Sequence, residues 1–423
     1  ERINQDKIDF DINISESEKI YVEKINITGN YTTLEEVIRN NLIVDEGDPL
    51  NEILFNKSIN NLKSLDIFKK VEPDIQSGSD KSLRIIDINI EERPSGEISL
   101  AAGFGTNGGI LGGGIKEKNF LGQGINLDAN VELTPESIKG RFIYAKPNFN
   151  DTENTLFTSL KSSTTDLLTD SGYKTSELGF SLGTRFEQFQ NIFLSPEIDF
   201  LIEDLETSSK ASNTLKKQEG SYTDLYFNYS INQDLRDKRF RTESGYQTFF
   251  TQELPIISDN SELANAFEIS KFKKLSTRSD TVGKISFYAK TITGLSDDVR
   301  ISKRLNVPSS KLRGFEKGKV GPVDNKDFVG GNHVTALNLS ATLPNIVEGL
   351  DNLDVGVFFD AANVWGVDYD SSIDDKSTVR SSAGVALNLM TPIGPLSFSF
   401  ANALSKASSD KTETFRFNLG TQF

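Results

Sequence analysis

The sequence predicts a membrane protein of the all-β class: a 16-stranded antiparallel transmembrane β-barrel preceded by one small α+β domain of order βααββ. Three observations predict it. Alternation of apolar and polar residues with period two runs through residues 94–423 without a credible helix. The alternating segments last about 9–14 residues, longer than the ~5–6 of globular strands and long enough to cross a bilayer at a tilt. Hydrophobic residues make up only 36% of the 423 residues. That suits a barrel, which needs apolar side chains only at every second position and can keep a polar lumen.

Composition removes most other classes. The chain has no cysteine, which excludes a disulfide framework, thiolate metal sites and cysteine nucleophiles. Its single histidine, His333, excludes histidine-cluster zinc sites. A formal net charge of −15 argues against nucleic acid as a partner, since such binders carry a basic face. No run of 18 apolar residues is present, so no transmembrane helix is expected.

In chain order, residues 1–19 read as the tail of a preceding module, and 20–93 as the small domain. YVEKINITGN is a strand closing on a turn. Thr33 to Glu36 has the form of a capping box, followed by Val37, Ile38 and Leu42 as a short apolar face. A second helix carries Ile53, Phe55, Ile59, Leu62 and Leu65 on one face, and KKVEPDI and SLRIIDINIEER finish as two strands across a turn. Pro94 ends this unit.

The barrel fills 94–423, with roughly sixteen alternating segments, an even number as bacterial barrels require. Leu225, Phe227, Tyr229 and Ile231 face one way, and Asp224, Tyr226, Asn228 and Ser230 the other. Leu178, Phe180 and Leu182 alternate with Gly179, Ser181 and Gly183 in the same manner. At the end, Phe415, Phe417, Leu419 and Phe423 oppose Arg416, Asn418, Gly420 and Gln422. Short links at 186–191, 237–244 and 392–394 are expected at the periplasmic end, and long polar ones at 206–221, 367–378 and 295–331 outside. The last is too long for a plain hairpin connection and is therefore a functional candidate.

Several motifs have competing readings. Gly103 to Gly108 matches G-x-G-x-x-G, but a nucleotide site needs a helix next, and Gly109 and Gly112 to Gly114 oppose one. A glycine-rich first pair of barrel strands fits better. His333 beside a serine would suggest a lipase, but no G-x-S-x-G elbow exists. Asp297-Asp298 and Asp374-Asp375 lack EF-hand spacing and read as solvated loop charges. Arg313, between Leu312 and Gly314 in the longest loop, is either a surface arginine or an anchor. Asp360 sits in the apolar run Val357 to Trp365; if Phe359 faces lipid, Asp360 faces the lumen, where an unpaired charge asks for a cation.

Taken together, these motifs resemble the BamA family, the barrel-assembly factors of the bacterial outer membrane. The resemblance rests on Leu312-Arg313-Gly314-Phe315, on Val329-Gly330-Gly331-Asn332 leading back into a strand, and on Phe359-Asp360 followed by Val364-Trp365. It extends through Ser382-Ala383-Gly384 and Pro392 to Leu396 to a last strand ending in Phe423. It implies that 20–93 is a periplasmic POTRA domain, that the loop folds into the lumen, and that Arg313 pairs with Asp360 there. Some relatives carry a second lumen glutamate where this chain has Ser340, so a single carboxylate is expected to hold the latch. Only one POTRA module is complete.

The family reading further implies insertion of β-barrel clients into the outer membrane, with unfolded outer-membrane proteins, lipoprotein subunits of the same machine and membrane lipids as partners, and no cofactor, metal or catalytic residue. Closing a barrel removes the free strand edge, so an assembly factor must create one. Gly103, Gly105 and Gly420 point to a weak seam between 98–106 and 414–423, where a client strand would add by β-augmentation. Phe417, Leu419 and Phe423 resemble the terminal signal that such clients present. A two-partner secretion pore or a translocation-assembly factor is the alternative, sharing the domain and the loop motif. A passive porin has no use for either.

Overall fold

The computed structural model describes residues 2–4, 7–9, 19–239, 241–276, 280–344, 352–391 and 394–419. Gly420, Phe423 and the Pro392-Ile393 pair lie outside the described residues. Two compact units form: residues 1–96 with 117–125, and 97–116 with 126–423.

The first unit opens on a short antiparallel pair, β1 (Arg2–Asn4) and β2 (Lys7–Asp9). The small domain follows as β3 (Tyr21–Thr28), α1 (Glu35–Arg39), α2 (Glu52–Ser64), β4 (Phe68–Ser77) and β5 (Leu83–Glu92). Its sheet runs β3-β5-β4, with β3 parallel and β4 antiparallel to the central β5. Val22, Ile25, Ile38, Phe55, Ile59, Leu62, Ile86, Ile88 and Ile90 form its core. Ser58 is wholly buried, yet it donates to the Leu54 carbonyl and accepts from the Ile43 amide, so it costs the core nothing unsatisfied.

Two local expectations fail here. The capping box does not form: Leu34 is the N-cap of α1, without a side-chain bond. The Thr32 and Thr33 amides instead donate to Glu92 at 2.9 and 2.6 Å. Partial burial opposes charge on Glu92, but these Thr33 and Thr32 bonds hold its carboxyl below the usual range. Asn51 is the residue that caps a helix, accepting from Ile53 and Leu54 at the start of α2. Ile53, expected on the buried face, is 80% exposed because it lies in the first turn, ahead of the face set by Phe55, Ile59 and Leu62.

The second unit is a closed barrel. Its strands are β6 (Gly96–Gly105), β7 (Gly108–Phe120), β8 (Ile125–Leu133), β9 (Ser137–Lys146), β10 (Thr155–Leu167), β11 (Tyr173–Phe189), β12 (Ile192–Thr207) and β13 (Gly220–Asp234). They continue as β14 (Gly245–Ser258), β15 (Glu262–Lys274) and β16 (Val282–Gly294). Two short loop strands follow, β17 (Val323–Asp324) and β18 (Asp327–Phe328). The barrel then resumes with β19 (His333–Pro344), β20 (Leu353–Trp365), β21 (Arg380–Thr391), β22 (Gly394–Ser405) and β23 (Phe415–Leu419). Sixteen strands, β6–β16 and β19–β23, close the cylinder, each beside its sequence neighbour and β23 beside β6. The glycine-rich Gly103 to Gly108 is a strand, a tight turn and a second strand, which leaves no helix terminus for a phosphate.

Alternation sets the two faces. Leu178, Phe180, Leu182, Ile285, Phe287 and Phe400 are exposed on the outer surface. Asp224, Ser181 and Ser286 are buried within. Strands β11, β12 and β13 reach 17, 16 and 15 residues, longer than the alternation indicated. Their outer ends join a loop helix, α3 (Asn213–Lys216), in a second small core of Tyr173, Leu205, Leu215, Ile301 and Val329. Burial against the loops, and not only against lipid, lengthens them.

Candidate functional site

The loop between β16 and β19 spans residues 295–332, one residue past the expected boundary, and lies against the inner wall. Val299, Leu305, Val307, Leu312, Phe315 and Val320 of the loop pack on Ala264, Ile292, Val334, Ala336, Ala362 and Val364 of the strands. The lumen is thus partly apolar where the loop covers it. Phe315 is 1% exposed. Alternation alone cannot distinguish an inward residue that meets water from one that meets a folded-in loop.

Arg313 sets two nitrogens on one carboxylate. Its Nε lies 2.7 Å from Asp360 Oδ2 and a terminal nitrogen 2.8 Å from Oδ1, while its own amide donates to Oδ2 at 3.1 Å. Asp360, on β20, is wholly buried. Its second partner is Asn338 of β19, whose Nδ2 donates to Asp360 Oδ1 at 2.8 Å and to the Lys311 carbonyl at 2.7 Å. Ser340 lies two residues further along β19, so Asp360 is the carboxylate that holds Arg313, and Asn338 steadies that carboxylate as a donor. The guanidinium also lies 3.4 Å above the Phe358 ring, a cation–π contact within the wall. Fork geometry explains the choice of arginine, because an ammonium cannot bind both oxygens in one plane.

The flanking residues fix the loop's path. Gly314 has φ +86, and a Cβ there would stand 3.1 Å from Ala401 and 3.2 Å from Ser382. Ser382 donates from Oγ to the Arg313 carbonyl, and it sits at a register shift between β21 and β22 that re-aims the side chain. Leu312 is buried in the lumen core beside Phe315. Arg416 on β23 reaches the Phe315 carbonyl at 2.6 Å and the Ser309 carbonyl at 2.9 Å, while Glu413 neutralises it at 2.8 Å. The motif loop is therefore tied to the last strand as well as to β20.

Where the chain returns to the wall, Leu305 and Gly331 exchange backbone bonds at 2.7 and 2.9 Å. Gly330 and Gly331 run against the Leu305 and Trp365 carbonyls, leaving no room for a side chain. Asn332 accepts from Arg304 at 2.8 Å and donates to Asp368 at 2.9 Å. Asp368 also pairs with Arg304 directly. Burial opposes the charge on Asp368, but Arg304, the Val299 amide and Asn332 together hold its carboxyl below the usual range.

Four anchors had no signal in the sequence motifs. Arg300, with no exposed surface, lies 2.6 Å from Asp224 and 3.0 Å from Glu262, and stacks over Tyr222. Burial works against its charge, but Glu262, Glu203 and Asp224 raise its pKa all the same. Arg304, Arg380 (2.9 Å from Asp410) and Arg416 are the others. Inward parity could have found the acids and Arg416, but nothing local says which loop arginine meets which wall. His333 opens β19, with Nδ1 2.8 Å from Thr291 Oγ1 and its ring on Trp365, an ordinary structural placement.

At the seam, β23 and β6 register over Asn418 opposite Gly105 and Leu419 opposite Phe104 within the described residues. The β12–β13 pair registers continuously from Ile192 to Leu205. Gly105 stands where the two closing strands come near each other. A Cβ there would lie 2.4 Å from Asn418 Oδ1 and 2.6 Å from the Phe417 carbonyl, so the glycine lets the closing strands approach. The Thr106 amide donates to the Phe417 carbonyl at 3.1 Å, and the Thr106 hydroxyl accepts from the Phe417 amide. Gly103 is partly buried two residues earlier, and the exposed side chains of Ile98 and Leu100 lie beyond the described pairing. On the outer face, Phe417 stands between Phe104 and Phe415 at 6.0 and 6.1 Å.

A small domain of this topology joined to a closed 16-stranded barrel with an anchored inward loop defines a class of outer-membrane proteins. Residues 119–423 match the Omp85 superfamily domain, and 20–93 match the POTRA domain described as surface antigen variable number repeat. The chain belongs to the Omp85 superfamily. Its likeness within that superfamily is to the BamA type. The outer membrane protein assembly factor BamA of Neorickettsia risticii is 24% identical over 99% of this chain and 57% of its own length. That of Neisseria meningitidis serogroup B is 25% identical over 98% and 58%. The chain thus spans a little over half the length of these relatives. The crystal structure of BamA from Haemophilus ducreyi lacking POTRA domains 1–3 superposes with a TM-score of 0.82 at 23% identity, covering 96% of this chain and 85% of that one. CdiB from Acinetobacter baumannii reaches 0.60 at 12% identity, over 96% and 74%. The barrel lies in the outer membrane, with the POTRA domain in the periplasm.

Proposed function

We propose that this chain assembles and inserts β-barrel proteins into the outer membrane by offering the edge of β6 to an incoming client strand. The closure carries the reading: β6 and β23 are the first and last barrel strands, so no connection links them as a turn or loop links each of the other adjacent pairs. Each unpaired backbone group in lipid costs several kcal/mol, so a barrel can open only where few bonds are lost. A client strand would satisfy the β6 edge by β-augmentation and bury its own apolar face in lipid, which supplies the driving force. The reading needs no nucleotide, metal or catalytic residue.

Partners follow from the same chemistry. Unfolded barrel clients meet the seam, while the outer edges of β3 and β4 in the POTRA sheet offer strands to clients or to lipoprotein subunits of a larger complex. A translocation pore is the competing role. The likeness to assembly factors along 98–99% of this chain favours assembly, since the loop motif is common to both roles.

Phe104→Cys with Leu419→Cys places a thiol pair at opposed seam positions in a chain without native cysteine. Oxidation should stop client assembly, and reduction should restore it. Assembly at the normal rate by the cross-linked protein would exclude lateral opening at this seam.

A further inference from the structure

The outer surface of a membrane barrel meets hydrocarbon, and charge there is costly at mid-depth. Lys271 and Lys273 on β15 are nevertheless exposed on that surface. Their parity is fixed from both sides. Ser270 bonds Ser286 within the barrel at 2.7 Å, and Lys271 stands opposite Ile285, whose side chain is 52% exposed outside. Neither lysine has an acidic partner among the described residues, although the whole chain carries a net charge of −15.

Their surroundings form two tiers across four strands. Lys273, Gly283, Ala341 and Val357 make one tier, and Lys271, Ile285, Leu339 and Phe359 the next. Gly283 and Ala341 form a low floor between the lysine side and the wall of Val357 and Phe359. The result is an open groove of about 620 Å³ with an almost wholly apolar lining. Leu275 folds over Gly283 at its end. The link from β15 to β16 joins the tenth and eleventh strands of the barrel, an even-to-odd step like the short turns at 190–191 and 235–244, so this is the periplasmic end. Tyr246, opposite Lys271, adds a phenol at the same height, hydrogen-bonded to Gln233 at 3.0 Å. Tyrosine and lysine at one level mark a headgroup boundary.

We propose that this groove seats one anionic phospholipid of the periplasmic leaflet. Lys271 and Lys273 hold its phosphate, and an acyl chain lies over Gly283 and Ala341 against Val357 and Phe359. Charge complementarity selects the occupant: two ammonium groups with no acidic partner among the described residues sit beside an apolar channel one chain wide. A zwitterionic lipid offers the same chain but no net charge to match them.

The test uses the full chain in nonionic detergent, with phosphatidylglycerol or phosphatidylcholine of matched chains added and bound lipid counted by native mass spectrometry. Its readout is independent of client assembly. Lys271→Gln with Lys273→Gln should weaken phosphatidylglycerol retention about thirty-fold, which is about 1 kcal/mol for each lysine, and leave phosphatidylcholine unchanged. Ala341→Phe, which fills the floor and keeps both lysines, should weaken both lipids. Should that barrel not close, Val357→Trp adds similar bulk at a position 49% exposed. Undiminished phosphatidylglycerol retention in the lysine variant overturns the proposal. So does unchanged retention in the groove-filled variant, which would leave the lysines as diffuse surface charge.

Discussion

At the scale of single residues, the pairing of Arg313 with Asp360 gathers several weak forces into one strong constraint. Asp360 is wholly buried, and it receives two guanidinium bonds, one amide and Asn338. Arg313→Ala would leave that carboxylate with too few donors, and stranding a buried partner costs about 3–5 kcal/mol. The temperature at which the barrel loses its heat-modifiable gel mobility should fall accordingly. Arg313→Lys keeps the charge and loses the fork, with an expected cost of about 1.5–3 kcal/mol, the worth of one charged hydrogen bond. A lysine variant as stable as the parent would show that charge alone matters. Resemblance carried Arg313 and Asp360, because a short motif travels with its residues. Ser382 lay in the resemblance and Arg416 on the inward face, but their roles, and that of Asn338, depend on where a 38-residue loop lands and not on any local pattern.

Elements add what single residues cannot: register and approach. Gly105 allows β6 and β23 to close on each other, so Gly105→Val should push them apart through the contacts with Asn418 and Phe417. Disulfide formation between cysteines at Phe104 and Leu419 should then become slower and less complete. Unchanged cross-linking would mean that the bonds between Thr106 and Phe417 hold the seam despite the added bulk. The loop has a pH response of its own. Asp368 has a folded pKa held below the ordinary carboxylate range, so its contribution is present above that range and is lost as acid passes through the lower folded value. Protease access to the loop should therefore rise below about pH 4 in the parent, by the reference carboxylate pKa. In Asp368→Asn it should be high at every pH. Strand parity was readable from alternation throughout, whereas the extra length of β11 to β13 was not, because it comes from packing on α3 and the loop.

Among the described residues the molecule contains three separate cores, in the POTRA domain, in the lumen and at the outer ends of β11 to β13. Leu62 is fully buried in the POTRA core, and Leu62→Ala should cost that domain about 2–5 kcal/mol. Proteolysis within 20–93 should accelerate while the barrel keeps its heat-modifiable mobility, and loss of that mobility would show that the two units fold as one. Fold class was legible because a bilayer enforces period two over every crossing, a signal repeated sixteen times. What stayed hidden was the inside of the barrel, where a loop replaces water and makes part of the lumen a core. One consequence of the chain's return to the wall is optical. The only tryptophan of the chain, Trp365, has its backbone against Gly331 and its indole against His333, where the long loop ends. Nature has therefore placed the molecule's single indole chromophore at the base of the plug, and its emission, free of any competing tryptophan, should redden when that base lets water in.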